Sequence, residues 1–312
     1  MTSTANIIET RGLTKRYGDR VAVDDLHLTV LRGSAFGFLG HNGAGKTTLI
    51  RMLLGLTGAD AGTMRISGRP LPDERAQALA RVGAIVEGAG GGGFHLHLTG
   101  RENLRVNAAA RGSEAMRRIE GTLARVGMTD RADDRVKTYS QGMRQRLGVA
   151  RCLLADPELL ILDEPMNGLD PGGILEFRTM IATLTEEGRT VFLSSHLLDE
   201  IEKTCDAAAV IDQGRLVAQG TISEIVGGER RELEIGCDDP RLALDLLDGH
   251  PAVAAARPAP DGLRVTLAGA NGVASINARL VTAGIGVSRL EPVRESLEQR
   301  FLEITTRVGG RS

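Results

Sequence analysis

Up to about Ile225, short apolar runs with the period of extended chain alternate with longer amphipathic stretches. The segments Ile7–Arg11, His27–Val30, Ser34–Leu39, Gly62–Ile66, Val82–Val86, Leu159–Leu162, Thr190–Ser194, Ala207–Asp212 and Arg215–Gly220 read as β-strands. Leu159-Leu-Ile-Leu162 is apolar without a break, which places it at the centre of a sheet covered on both faces. Asp212-Gln-Gly-Arg215 joins two strand patterns and reads as a hairpin turn. A helix is expected over Thr48–Leu54, and between His95 and Asp156 the pattern turns mainly helical. There Thr99-Gly-Arg-Glu102 reads as a capping box opening a helix through about Ala110. Met116–Val126 reads as a second helix, and Gly142–Leu154 as a third, stopped by Asp156-Pro157.

The character of the chain shifts after Ile225, through a Gly- and Arg-containing linker over Val226–Arg231. Beyond it the order is strand (Glu232–Gly236), helix (Pro240–Leu247), strand (Val253–Arg257), strand (Leu263–Leu267), helix (Val273–Ala283), strand (Gly286–Leu290) and helix (Ser296–Thr305). That βαββαβ order predicts a small α+β, ferredoxin-like domain over residues 232–312, following an α/β domain over residues 1–225 whose helical lobe spans about 95–156.

Composition narrows the partners. Lys plus Arg is 38 and Asp plus Glu is 40, a net charge of −2, so no global basic surplus points to nucleic acid. No apolar run reaches the roughly 18 to 20 residues that span a bilayer. The first residues also lack a signal-peptide profile, so any membrane role is expected to come through a partner. Cys152, Cys205 and Cys237 fit no paired metal or redox spacing and read as reduced thiols.

The chemistry concentrates in three places. Gly40-His41-Asn42-Gly43-Ala44-Gly45-Lys46-Thr47-Thr48 lies between a predicted strand and a predicted helix, the context of a phosphate-binding loop. The glycines let consecutive N–H groups turn toward phosphate oxygens, and the following helix adds partial positive charge. Lys46 is positioned to reach the β- and γ-phosphates, and the Thr47 hydroxyl to ligate Mg²⁺. Asp163-Glu164 ends the buried strand at the sheet edge where α/β proteins bind ligands; Asp163 suits the Mg²⁺ shell and Glu164 a water that attacks the γ-phosphate. Ser140-Gln141-Gly142 opens a helix with an N-capping Ser and an uncovered backbone, a second anion-binding helix terminus.

In their order, these segments resemble the ATP-binding subunit of an ABC transporter, a P-loop NTPase core, over about Ile7 to Ile225. The resemblance extends to Asn167-Gly-Leu-Asp170, to His196 and to Tyr17 in Thr14-Lys-Arg-Tyr17-Gly18. It implies a head-to-tail homodimer with ATP held between Gly40–Thr48 of one copy and Ser140–Gly142 of the other. It also implies that Asp170 crosses the seam, that His196 contacts the γ-phosphate, and that Tyr17 stacks on adenine; the alternative for Tyr17 is a core-packing aromatic. Two departures stand out. Glu87 occupies a position where the family has Gln, keeping an oxygen to approach Mg²⁺ but losing an amide donor, and Tyr139, Gln141 and Met143 alter the usual Leu-Ser-Gly-Gly-Gln signature.

With the trailing Ser296–Thr305, these departures resemble the ATPase subunits of ABC-2 type exporters, akin to daunorubicin- and bacitracin-resistance pumps. The resemblance implies a separate membrane permease as partner, a place on the cytoplasmic face of the cell membrane, and drug or lipid-like cargo. A soluble ABC-type ATPase acting on ribosomes or DNA is the alternative. For the last domain, dimer brace, regulator and permease contact all remain open. Gly88–Gly93 reads as a flexible connector. His95 and His97 lack a third ligand for a metal, and Asp133-Asp134 and Glu186-Glu187 read as solvated turn charges.

Overall fold

The computed structural model describes residues 6–86, 93–226, 232–269, 272–292 and 297–298. The chain opens with β1 (Asn6–Tyr17), turns at Gly18 into β2 (Arg20–Leu26), and continues through β3 (Thr29–Leu31) to β4 (Ala35–Leu39). After α1 (Lys46–Leu53) come β5 (Ala61–Ile66), β6 (Arg69–Leu71), α2 (Arg75–Leu79) and β7 (Val82–Ile85). The helical segment comprises α3 (Gly100–Ala109), α4 (Ser113–Arg117), α5 (Ile119–Arg125), two 3-10 turns and α6 (Gln141–Leu153). Then follow β8 (Leu159–Asp163), α7 (Pro171–Glu186), β9 (Thr190–Ser195), α8 (Leu198–Thr204), β10 (Ala207–Asp212), β11 (Arg215–Thr221) and α9 (Ile222–Val226).

Two sheets build this part. One is antiparallel, in the order β2-β1-β5-β6 with β3 also on β1. The other has six strands in the order β11-β10-β4-β9-β8-β7, parallel from β10 to β7. Every residue of β4, β8 and β9 is buried, as expected of parallel strands covered on both faces. Side chains from both sheets share one core, in which Phe36 and Phe38 pack on Phe192 at centroid distances of 5.9 and 5.6 Å. Because β9 lies between β4 and β8, the chain ends of all three strands meet at one sheet edge.

Local chemistry sets the element ends. The Thr99 hydroxyl accepts the Glu102 N–H while the Glu102 carboxylate accepts the Thr99 N–H, a full capping box on α3. Gln213 and Gly214 both take positive φ, 46° and 83°, in the tight turn between β10 and β11.

Several boundaries differ from the pattern reading. The expected helix Met116–Val126 is broken at Arg118 into α4 and α5. Expected strand His27–Val30 is displaced to Thr29–Leu31, and β2 and β6 went unread: β2 carries Asp24-Asp25 near its end, and β6 is three residues around Pro70. Three of the four paired acids are ion-paired rather than merely solvated, Asp133 with Arg101, Asp134 with Arg131, and Glu187 with Arg125 and Arg189, while Glu186 is the last residue of α7. Glu87 lies outside the described residues, as do most of Gly88–Gly93 and, except for Val226 at the end of α9, the expected linker.

The chain parts into two units between Ile222 and Ser223. The second contains β12 (Glu232–Cys237), α10 (Pro240–Leu247), β13 (Val253–Ala259), β14 (Gly262–Leu267), α11 (Val273–Thr282) and β15 (Val287–Pro292). Its strands lie in the order β13-β14-β12-β15 and every neighbouring pair is antiparallel, the arrangement of a split βαβ unit. Leu233, Ile235, Leu247, Leu263, Val265, Ile276 and Leu280 form its core. Asp239 caps α10 by accepting the Leu242 N–H. Of the expected helix Ser296–Thr305, only Leu297 and Glu298 fall within the described residues. No described helix is long and apolar enough to cross a membrane.

Candidate active site

The chain leaves β4 at Leu39, turns through Gly40–Gly45 and enters α1 at Lys46. Gly45 has φ 115°, and a Cβ there would sit 2.3 Å from the Ala22 carbonyl oxygen; one on Gly40 would sit 2.5 Å from that of Ile211. Backbone therefore packs against backbone on the outer side of the loop, and only glycine permits the turn. Lys46 is buried. Its ammonium donates to the carbonyl oxygens of Gly40 at 2.6 Å and His41 at 3.3 Å, and lies 3.1 Å from Glu164 Oε1.

The two carboxylates at the end of β8 arrive by different routes. In an extended strand, consecutive side chains point to opposite faces. Glu164 breaks that alternation by adopting φ 48°, the left-handed region, at a cost of about 1 kcal/mol or more for a residue with a Cβ. Both side chains are consequently held in the same neighbourhood: Asp163 Oδ2 accepts from the Thr47 hydroxyl at 3.1 Å, while Glu164 faces Lys46 and, through Oε2, His196 Nδ1 at 2.8 Å. Lys46, Thr47, Asp163, Glu164 and His196 thus form one contiguous cluster. Glu164 Oε1 is buried and makes its ion pair with Lys46 off hydrogen-bonding geometry, an oxygen with remaining capacity to accept.

An open cleft of about 510 Å³ runs from this cluster along the loop, and Asn42, Gly43, Gly45, Lys46, Thr47, Thr48 and Glu164 line it with Tyr17, Arg20 and Ala22. Tyr17 is 49% exposed, so it is not a core aromatic, and the Lys15 ammonium sits 5.4 Å from its ring centroid. Gly40, Ala44 and the exposed His41 belong to the loop without lining the cleft. For Mg²⁺, the donor set fits: a threonine hydroxyl and a carboxylate converge as hard oxygen ligands, and Mg²⁺ commonly takes only one or two protein oxygens beside phosphate and water.

Ser140, Gln141, Gly142 and Asp170 do not line this cleft. Ser140 is exposed and caps α6 by accepting the Met143 N–H at 3.2 Å; Asp170 is exposed and caps α7 by accepting the Gly173 N–H at 2.9 Å. The departure at Tyr139 has a packing reason. Its ring is buried, its hydroxyl donates to the Arg131 carbonyl at 2.6 Å, and a Cβ on Gly100 would meet that hydroxyl at 2.3 Å. Burial pushes the phenol above its ordinary pKa. Cys152, on α6 against β7, is likewise pushed up to about 11 by burial, and the Cys205 thiol is raised for the same reason, so neither is a nucleophile at neutral pH.

Two residues at the site went unread in the sequence. Arg20 donates to the Gly43 carbonyl at 2.9 Å, bracing the loop from the β1–β2 hairpin. Ser194 is fully buried on β9 and contacts both halves of the Asp163-Glu164 pair. The available signal was a polar Ser-Ser closing an apolar strand directly before His196.

The chain is similar to known proteins. A family model described as ABC transporter matches residues 23–167. The bacitracin transport ATP-binding protein BcrA of Bacillus licheniformis is 39% identical over 307 residues, covering 98% of each chain. The Nod factor export ATP-binding protein I of Ralstonia nicotianae is 40% identical over 235 residues, covering 74% of this chain and 71% of that protein. Among solved structures, cbiO1 from Clostridium perfringens, described as part of the ABC transporter complex cbiONQ, matches with a TM-score of 0.66 at 25% identity, over 71% of this chain and 90% of that one. With its order of motifs built onto this sheet edge and a relative matched along nearly its whole length, the chain belongs to the ABC transporter family, among its ATP-binding proteins.

Proposed function

We propose that this ATPase is the motor subunit of an exporter, closing head-to-tail on a second copy of itself around ATP to drive a separate membrane permease. One observation carries the reading: the chain holds two helix termini suited to phosphate, yet only the Lys46 loop lines the cleft, while the Ser140 terminus is exposed and does not. Two copies in opposite orientation would each supply what the other's site lacks. Ligand bridging two subunits favours the closed state by its differential affinity.

In this reading Tyr17 stacks on adenine, and the main chain of the loop together with Lys46 holds the β- and γ-phosphates. Phosphate oxygens would draw the Lys46 ammonium from the Gly40 and His41 carbonyls, loosening its hold on Glu164. Glu164 then orients the attacking water and accepts its proton, and His196, adjacent to Glu164, faces the γ-phosphate. Thr47 and Asp163 would hold Mg²⁺, which when bound offsets charge developing on the transferring phosphoryl group. Gln141, Gly142 and Asp170 complete the seam from the second copy.

Export of a drug or lipid-like cargo is supported by the names of the relatives, a bacitracin transport protein and a Nod factor export protein. A permease on whose cytoplasmic face the subunit docks agrees with the lack of a membrane-crossing helix among the described residues. Ribosomes or DNA as targets gain no support from these relatives. The test is Glu164→Gln in ATP and Mg²⁺. Light scattering is expected to show a stable dimer while phosphate release falls by about 100-fold or more, the usual scale for loss of a general base. A monomer that hydrolyses ATP at the original rate would remove both the dimer and the role of Glu164.

A further inference from the structure

Ser194 links the two carboxylates on which the proposed chemistry depends. It sits on β9 in parallel register with Asp163, with no exposed surface, between the strand that leads into the loop and the strand that carries the acids. Its hydroxyl has one proton and directs it to Asp163 Oδ1 at 2.6 Å; the Ser194 Oγ itself accepts the Glu164 main-chain N–H at 3.0 Å. Ser194 thereby holds Asp163 at Oδ1, and Oδ2 is the nearer of the two oxygens to the Thr47 hydroxyl, 3.1 Å against 3.5 Å. Glu164 is fixed through its backbone, at the very residue where φ becomes positive and the strand alternation fails.

We propose that Ser194 is a positioning residue for metal-assisted ATP hydrolysis: through one hydroxyl it sets which Asp163 oxygen faces the cation and holds the kink that turns Glu164 toward the γ-phosphate. It acts through its neighbours and does not itself reach the nucleotide, since it is buried and does not line the cleft. A cysteine at this place would keep the volume but weaken the donor. An alanine would leave Asp163 Oδ1 and the Glu164 N–H, both in a buried environment, without this partner. Threonine keeps the hydroxyl.

The inference rests on the ATP-site reading above, and a binding measurement separates the two. A fluorescent ATP analogue is titrated into the purified full chain and into Ser194→Ala, Ser194→Cys and Ser194→Thr, with Mg²⁺ and with EDTA. In Mg²⁺, the Ala and Cys variants are expected to bind about tenfold more weakly, as for one lost charge-assisted hydrogen bond, with affinity in EDTA unchanged. Ser194→Thr is expected to stay within about twofold of the original chain. In turnover, Ala and Cys should raise the Mg²⁺ concentration giving half-maximal rate and lower kcat, with little change in the KM for ATP at saturating Mg²⁺. Unaltered Mg²⁺-supported binding in both Ala and Cys variants overturns the proposal. So does an equal loss with and without Mg²⁺, which would mark Ser194 as a packing residue only. If the original chain itself binds no analogue, the ATP-site reading fails instead.

Discussion

Lys46 and Glu164 are each about nineteen parts in twenty shielded from solvent, and each compensates the other's charge. Removing one member of such a buried pair strands the other, which typically costs about 3 kcal/mol or more. Lys46→Ala should therefore act twice, abolishing high-affinity nucleotide binding and lowering the denaturation midpoint of the free protein. Glu164→Gln should lower the midpoint less, because the Lys46 ammonium keeps the Gly40 and His41 carbonyls and the amide oxygen stays beside it. Equilibrium unfolding without nucleotide checks the asymmetry, and normal nucleotide affinity in Lys46→Ala would refute the loop assignment. At this scale the chemical types at the site were readable from spacing alone, since Gly-rich loops, Lys-Thr and strand-end carboxylates each have a chemistry of their own. Ser194 and Arg20 were not, because a serine or an arginine acquires meaning only from the atoms it meets across the sheet.

Among the elements, the entry to α6 is the informative one. Tyr139 stands directly before the capping Ser140, and its hydroxyl ties that entry to the Arg131 carbonyl and abuts the start of α3 at Gly100. Tyr139→Phe should destabilise the chain by about 1 kcal/mol, the cost of losing a partly buried hydrogen bond, since the Arg131 carbonyl keeps the Asp134 N–H. Gly100→Ala should be harmful with Tyr139 present and less so in the Tyr139→Phe background, where the hydroxyl at 2.3 Å is gone and the ring Cζ at 3.2 Å and the Ala132 carbonyl at 3.3 Å remain. A double-mutant cycle by urea denaturation measures this coupling, and strict additivity would show that the contact does not constrain the helix entry. Strong periodicity and capping chemistry made α3 and α6 legible beforehand. The break at Arg118 and the short strands β2 and β6 were not, because three to seven residues with interspersed charge carry little periodic signal.

For the whole molecule, acid should be the effective denaturant. Arg189 holds Asp156 below the usual carboxylate range and Arg101 does so for Asp133; the Arg16 N–H, then Lys15, lowers Asp60, and the Thr99 N–H lowers Glu102. A carboxylate with a depressed folded pKa contributes stability above its unfolded value, near ~4, and loses it as pH falls through the folded value. The unfolding midpoint is expected to be flat from about pH 7 to 5 and to drop below about pH 4, and a decline that begins near pH 6 would point to histidine instead.

The sequence by itself determined the layered α/β class, the split βαβ order of the second unit, and an inventory of glycine-rich turns, capped helix starts and strand-end acids. Each is encoded by neighbours in the chain, through period, capping and turn chemistry. Only the tertiary structure decided how that inventory is divided. It brings Thr47, Asp163, Glu164 and His196 together around Lys46 because β9 inserts between β4 and β8, and it leaves Ser140 and Asp170 away from that cleft. Strand order is set by which apolar faces pack across the sheet, a relation between distant residues that no local pattern contains.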